Sequence, residues 1–461
     1  MLEKDSLKLL QQALERLERG FRSLPAHGGD SYDPPRVSEV LAETADRLHE
    51  NYPYFHPLYA GQMLKPPHPV ARLAYALAQW INPNNHALDG GRASSAMEKE
   101  AVAEIARMFG WNEYLGHLTG GGTMANLEAL WIAGRTAPGK TILASEQAHY
   151  THQRICGVLQ LKFESVPCDD RARIDVELLE KRVARGDVGT VVATMGTTAT
   201  GSVDPLPEIL RLREQYGFRV HCDAAYGGYF VLANNLSPET ARSFARITDA
   251  DSIVIDPHKH GLQPYGCGCV LFRDPATGRF YKHDSPYTYF SSKQLHLGEI
   301  SLECSRPGAA AVALWATQRL LPLQKNGEFA AGLQDCRAAA QDFYRRIVAD
   351  PRFIPGSEPE LDIVVFAPVA PSASAASALS RRIFDAAAAR DLHLAVAELP
   401  LGFFRGAAHL KADKASLTCL RSVLMKPEHR QWVDRIWAVL SDCADGARQN
   451  WAGRLRRPSS T

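Results

Sequence analysis

DSIVIDPHKHG, residues 251–261, is the stretch that decides the fold of this 461-residue chain. It opens with a short, β-branched apolar run between turn residues, the pattern of a strand buried on both faces of a parallel sheet. It closes on Asp256-Pro257-His258-Lys259, which sets a lysine just past that strand. An unpaired ammonium there is costly. Condensation with an aldehyde cofactor resolves the conflict, because the amine becomes a Schiff base with a chemical role. A surface lysine following a strand is the plain alternative.

Working outward, FRVHC (residues 218–222) runs directly into Asp223-Ala224-Ala225-Tyr226-Gly227-Gly228. A carboxylate at the carboxyl end of a parallel strand stands where open α/β sheets bind ligands. Pyridoxal 5′-phosphate (PLP) needs an acid partner at its pyridine nitrogen, so that the protonated ring accepts electrons from a breaking Cα bond. Small side chains at Ala224 and Ala225 let a ring lie close to the strand. In HLTGGGTMANLEALW, the turn Gly120-Gly121-Gly122-Thr123 precedes a helix, and bare amides plus a hydroxyl form a phosphate cradle. This is neither a P-loop nor Gly-x-Gly-x-x-Gly. ASEQAHYTH places His149 at the end of a strand-like run, either a satisfied core histidine or a ring that stacks on the cofactor. VATMGTTATGSVDP places Thr197 and Thr198 after a buried strand, within reach of a phenolic oxygen.

The surrounding pattern fits. TILAS, VGTVVATMG, FRVHCDAA, DSIVIDP and GCGCVLF alternate with helical segments, which predicts a mainly parallel sheet covered on both faces. SSAMEKEAVAEIARMFG reads as a capping-box helix start, with Glu98 three residues beyond Ser95. Residues 1–90 form an N-terminal arm, in which NYPYFHPLYAGQMLKPPHP holds too many prolines for a helix and must be held by something else. Residues 91–335 form a large α/β domain, 336–453 a small α+β domain, and 454–461 a frayed tail. Lys+Arg (52) nearly equals Asp+Glu (51), so the basic surplus of a nucleic-acid binder is missing. The amino-terminal residues are charged and heptad-like rather than signal-like, and no run is long enough to span a bilayer. A soluble, cytoplasmic protein is expected. The nine scattered cysteines include no Cys-x-x-Cys pair, so buried reduced thiols are expected and no metal site.

In order and spacing these five elements resemble the group II PLP-dependent decarboxylases, the aromatic-amino-acid, tyrosine and glutamate decarboxylase family. The resemblance covers roughly residues 50–330. It implies the PLP fold type I (aspartate aminotransferase-like) architecture and a homodimer with active sites at the interface. It makes Lys259 the Schiff-base lysine, with Asp223 at the pyridine nitrogen, Ala225 on one ring face and His149 stacked on the other. Gly121, Gly122 and Thr123 then hold the phosphate with His258 beside them, and Thr198 lies near the phenolic oxygen. Ser305, in Ser305-Arg306-Pro307-Gly308, becomes a cofactor or interface contact. A loop between the lysine and that element carries the tyrosine that protonates the α-carbon. Tyr287 and Tyr289 both qualify, and Tyr289 is preferred because Tyr-Phe-Ser-Ser-Lys best resembles the family's loop. Two residues depart from the pattern. Asp256 resembles the tyrosine/aspartate branch, and His260 replaces the usual aromatic.

The reaction implied is decarboxylation of an L-amino acid to its amine, through a Schiff base and a quinonoid intermediate. Retro-aldol cleavage and aldehyde-forming oxidative deamination compete on the same scaffold. An aminotransferase needs firm α-carboxylate binding, which Arg421 or Arg405 can supply. A PLP-binding regulator without turnover would show a helix-turn-helix or basic extension, and none is visible. For the substrate side chain, Tyr54, Phe55, His56, Asn84, Asn85 and His86 are candidates. Aromatic residues suit an aromatic substrate, while His56, Arg92 and Arg405 suit an acidic one.

Overall fold

The computed structural model describes residues 3–25, 33–86, 90–282, 301–404, 406–407 and 410–455. Helices are α1 (Ser6–Arg19), α2 (Pro34–Leu48), α3 (Pro69–Gln79), α4 (Arg92–Met108), α5 (Gly122–Thr136), α6 (Thr151–Val158) and α7 (Val176–Val183). They continue with α8 (Leu206–Tyr216), α9 (Pro238–Ala245), α10 (Gly308–Leu320), α11 (Glu328–Ala349), α12 (Ala373–Ala388) and α13 (His429–Leu455).

The larger sheet has seven strands: β1 (Leu115–Thr119), β2 (Thr141–Ser145), β3 (Lys162–Val166), β4 (Val188–Thr194), β5 (Arg219–Asp223), β6 (Ser252–Ile255) and β7 (Gly268–Phe272). Their spatial order is β1-β7-β6-β5-β4-β2-β3. The four pairings from β6 to β3 are parallel, while β7 runs antiparallel to both β6 and β1. Every residue of β2, β4, β6 and β7 is buried, which is why these strands read as continuous apolar runs. The sheet is mainly parallel, as expected, and its carboxyl-terminal edge carries the residues singled out from the sequence.

Two of its strands had no apolar run to announce them. β3 is an edge strand, mostly solvent-facing, with the sequence KFESV. In β1 the buried positions include His117 and Thr119, which are polar.

The capping-box reading of Ser95 and Glu98 is corrected by the structure. Helix α4 starts at Arg92 behind Gly91, with no side-chain cap, so both serines lie inside it. Glu98 is turned inward, accepting from Leu118 N at 3.0 Å and from Asn85 Nδ2 at 2.6 Å, and pairing with Arg306 Nη1 at 2.6 Å. A buried guanidinium needs a buried anion, and that demand outweighs a local cap.

A second, antiparallel sheet comprises β8 (Phe353–Pro355), β9 (Ile363–Pro368), β10 (Ala395–Pro400) and β11 (Ser416–Val423), in the order β10-β11-β9-β8. Its core packs Phe366 and Leu420 against Phe343 of α11, Ile383 of α12 and Ile436 of α13. The proline-rich segment before α3 is irregular and is held by this unit. Lys426 Nζ donates to Tyr59 O (2.6 Å), His429 Nε2 to Pro57 O (2.9 Å), and Val423 N to Ala60 O (2.7 Å). The apolar pattern of the carboxyl terminus fades after Trp451, yet α13 continues to Leu455. Among the described residues, no helix is long and apolar enough to cross a membrane.

Candidate active site

The carboxyl ends of β1, β2, β4, β5 and β6 surround a cavity of about 490 Å³. That lies within the usual range for small-ligand sites, roughly 300–1,000 Å³. Each strand delivers one element of chemistry to it.

Strand β5 ends on Asp223, which is 5% exposed. Its Oδ1 accepts from Ala225 N at 3.1 Å, and its Oδ2 lies 2.8 Å from His152 Nε2. Burial alone would raise its pKa. The His152 hydrogen bond, with Lys259 nearby, outweighs burial and holds the carboxyl below the ordinary range. Asp223 is therefore a fixed anion at the floor of the cavity.

After β6, Lys259 reaches back over its own turn, with Nζ 3.0 Å from Asp256 Oδ2. His258 Nδ1 donates to Cys267 O at 2.9 Å, and burial lowers its pKa, so the ring is neutral. The next residue, His260, packs against Tyr226 and Phe230. Tyr226 OH donates to Asp362 Oδ1 at 2.5 Å, and His260 Nε2 stands 3.2 Å from Asp362 Oδ2 without good hydrogen-bond alignment. The turns that follow β5 and β6 thus converge on one buried acid just before β9.

The glycine turn joins β1 to α5. Gly121 has φ +145°, a conformation side chains rarely adopt, and a Cβ on Gly122 would sit 2.6 Å from Asp256 Oδ2. Asn126 Nδ2 donates to Gly122 O (2.9 Å) and Asn126 Oδ1 accepts from buried His221 Nε2 (2.9 Å), which fastens the first turn of α5 to β5. His149 follows β2 and lines the cavity, its Nδ1 2.8 Å from Thr151 Oγ1, and burial lowers its pKa. Thr198, after β4, lines the cavity as well, whereas Thr197 turns away to Thr200 Oγ1 at 2.7 Å. The Thr198 loop is held by buried Arg421 of β11, whose Nη2 donates to Thr198 O (2.6 Å) and Nε to Ala199 O (3.0 Å).

The structure brings together Gly121, Gly122, Thr123, His149, Thr198, Asp223, Ala225, His258 and Lys259 around this one cavity. It does not bring the remaining described candidates there. Ser305 meets Asn84 Nδ2 at 3.1 Å, outside the cavity. Phe55 is exposed, and His56 packs on Trp432 at 5.0 Å between ring centroids. Asn85 is buried against Glu98 and Ser94, so its amide is already satisfied. Tyr287, Tyr289 and Arg405 lie outside the described residues. Two groups at the site escaped the sequence reading: His152, and Asp256 as the partner of Lys259.

A profile of the pyridoxal-dependent decarboxylase conserved domain matches residues 138–368, half of the chain. The chain belongs to the pyridoxal-dependent decarboxylase family. This decarboxylase is 29% identical over 390 residues to an L-tyrosine decarboxylase of Enterococcus faecium, spanning 63% of this chain and 64% of that protein. It is 29% identical over 337 residues to an L-aspartate decarboxylase of Thermococcus kodakarensis (71% and 84%). Its fold superimposes on that of Oryza sativa TDC with PLP and tryptamine, with a TM-score of 0.77, 18% identity and coverage of 96% and 99%.

The cofactor of the family is PLP, and the decarboxylase's cavity fits it. A lysine and an anion stand at one rim and the floor, and a side-chain-free turn at a helix start faces the same space. Thr194 Oγ1 and Asp256 Oδ1, both on cavity-lining residues, are buried polar atoms without partners among the described residues.

Proposed function

We propose that Lys259, Asp223, His149, Thr198 and the Gly121–Thr123 turn carry the decarboxylation of an L-amino acid to its primary amine. Bound PLP supplies an aldehyde for the amino group and a ring that takes up the electron pair released at Cα. Lys259, whose amine is at the cavity rim, would anchor the cofactor through that aldehyde. The amides at the start of α5, with Thr123 and His258, hold the phosphate. Asp223 keeps a proton on the ring nitrogen, His149 covers one face, and Ala225 leaves room at the other. As the Cα–carboxylate bond breaks, CO2 leaves, and a proton is delivered to Cα from Tyr289 or Tyr287.

One observation favours this reading over an aminotransferase that would use Arg421. Arg421, the described arginine considered as an α-carboxylate clamp, has its Nε, Nη1 and Nη2 committed to Ala199 O, Gly61 O, the Gln62 side chain and Thr198 O. No arginine lines the cavity among the described residues. A substrate carboxylate not locked by a guanidinium can leave as neutral CO2 from a poorly solvated site.

The same reading includes a homodimer. Helix α2 buries none of its residues, and Val37, Val40, Leu41 and Leu48 form an exposed apolar face. A second copy covering this arm accounts for it, and would place Phe55 and Ser305 at a shared site. The test of the function is direct. PLP-loaded protein offered tyrosine, aspartate and the other L-amino acids in turn should release CO2 and the matching amine from at least one. Conversion of the offered amino acid to its own keto acid, with an added amino acceptor aminated in step and no CO2 released, would overturn it.

A further inference from the structure

Two histidines stand close together where β2 gives way to α6, His149 in the connecting turn and His152 in the first turn of the helix. His149 and His152 are three residues apart, the spacing that puts side chains on one side of a helical turn. His149 lines the cavity, while His152 lies behind it, 0% exposed, with Nε2 2.8 Å from Asp223 Oδ2. An ionised carboxylate only accepts, so the hydrogen between them belongs to Nε2. His152 Nδ1 is buried with no partner among the described residues, which is tolerable for a bare lone pair and costly for an N–H. Among the described residues, the one hydrogen bond of this imidazole is therefore the one it gives Asp223.

We propose that His152 is a positioning residue that keeps the shared proton of the Asp223–pyridine pair on the cofactor nitrogen instead of on the carboxylate. This rests on the reading that Asp223 faces that nitrogen. The argument is one of competition inside a dry site. The pair can exist as carboxylate and pyridinium, or as carboxylic acid and neutral pyridine, with one proton moved along the hydrogen bond between them. A buried site favours the uncharged form. Donors to the carboxylate favour the ionised form. Asp223 receives two such donors from the chain, Ala225 N at 3.1 Å and His152 Nε2 at 2.8 Å. Only the side-chain donor can be changed without moving the backbone. Without it the proton shifts toward Asp223, and the ring becomes a weaker acceptor for the electrons released at Cα.

The test is the nitrogen-15 chemical shift of ring-labelled PLP bound to the wild-type protein and to His152→Leu, His152→Asn and His152→Gln. The amide nitrogen of glutamine occupies the place of Nε2, and that of asparagine the place of Nδ1. The leucine and asparagine variants should move the shift toward that of neutral pyridine and weaken PLP binding to the apoprotein about tenfold. The glutamine variant should restore both. If leucine at this position prevents folding, seen as loss of the apoprotein's thermal transition, asparagine gives the same reading. A wild-type shift in the leucine and asparagine variants overturns the proposal. Asp223→Asn separates the two levels: if it too leaves the nitrogen protonated, the assignment of Asp223 fails first.

Discussion

Lys259 Nζ stands 3.0 Å from Asp256 Oδ2, while the other oxygen of that carboxylate is buried without a partner among the described residues. The nucleophilic amine is thus parked on a neighbouring acid, three residues back along its own turn. That contact must break before the amine can attack an aldehyde.

Asp256→Asn should therefore speed the capture of PLP by the apoprotein. A hydrogen bond between charged groups contributes roughly 1.5–3 kcal/mol, so an acceleration of about tenfold is expected. Stopped-flow absorbance of the bound cofactor measures it. An unchanged or slower rate would mean that the acid serves the phosphate cradle, against which it also packs through Gly122.

Arg421 should behave as a structural clamp on the Thr198 loop. Lysine at this position is a point charge that cannot span the carbonyls of Thr198, Ala199 and Gly61. Each buried carbonyl left unpaired costs about 1–3 kcal/mol. Arg421→Lys should lower Tm and PLP affinity together, while KM for the amino acid at saturating cofactor stays within about twofold of wild type. A KM raised more than tenfold with Tm unchanged would instead mark Arg421 as a carboxylate-binding residue.

The parts of the site legible in the sequence are those whose local environment is unusual on its own. A lysine past an apolar strand, an acid ending another and three consecutive glycines before a helix each conflict with plain packing, and each proved to line the cavity. What was not legible depends on distant partners. Glu98 looked like a helix cap because its buried partner, Arg306, lies 208 residues away. His152 carries no local signal at all, and its role depends on Asp223, 71 residues on. Strands β1 and β3 were missed because one buries polar residues and the other buries almost nothing. Asn85 was drawn to the substrate pocket by its neighbours in sequence, whereas its amide is consumed in the core.

The identity of the proton donor separates two outcomes of the same bond cleavage. Tyr289→Phe should slow proton return to Cα, leaving the electron-rich carbon open to molecular oxygen. The expected result is a fall in amine, with aldehyde, ammonia and oxygen consumption rising in step. If Tyr287→Phe shows this change and Tyr289→Phe does not, the roles of the two tyrosines are exchanged. If neither alters rate or product ratio, the proton comes from elsewhere.

Acid should loosen the cofactor cradle before it titrates Asp223. His221 is buried, donates from Nε2 to Asn126 Oδ1, and has Nδ1 2.8 Å from Ser252 Oγ, so its contacts suit the neutral ring. His429 is buried likewise, donating to Pro57 O and accepting from Lys426 N. Burial lowers both to about 3, against an ordinary value near 6.5. The unfolded chain therefore binds protons that the folded chain refuses. Their contribution is fully present above the unfolded value, is lost progressively as pH falls through 6.5, and levels off only near 3. At pH 5 the loss is about 2 kcal/mol per histidine, on the order of 1.5 units at 1.36 kcal/mol each. Asp223, held low in the folded state, adds to the decline only below the ordinary carboxylate value. Thermal melts of apoprotein from pH 7.5 to pH 5 should show a steady fall in Tm, and His429→Gln should flatten part of it. Because His221 is fastened through Asn126 to the first turn of α5, PLP affinity should fall over the same interval. A Tm independent of pH across that interval would show that neither ring is held neutral by its surroundings.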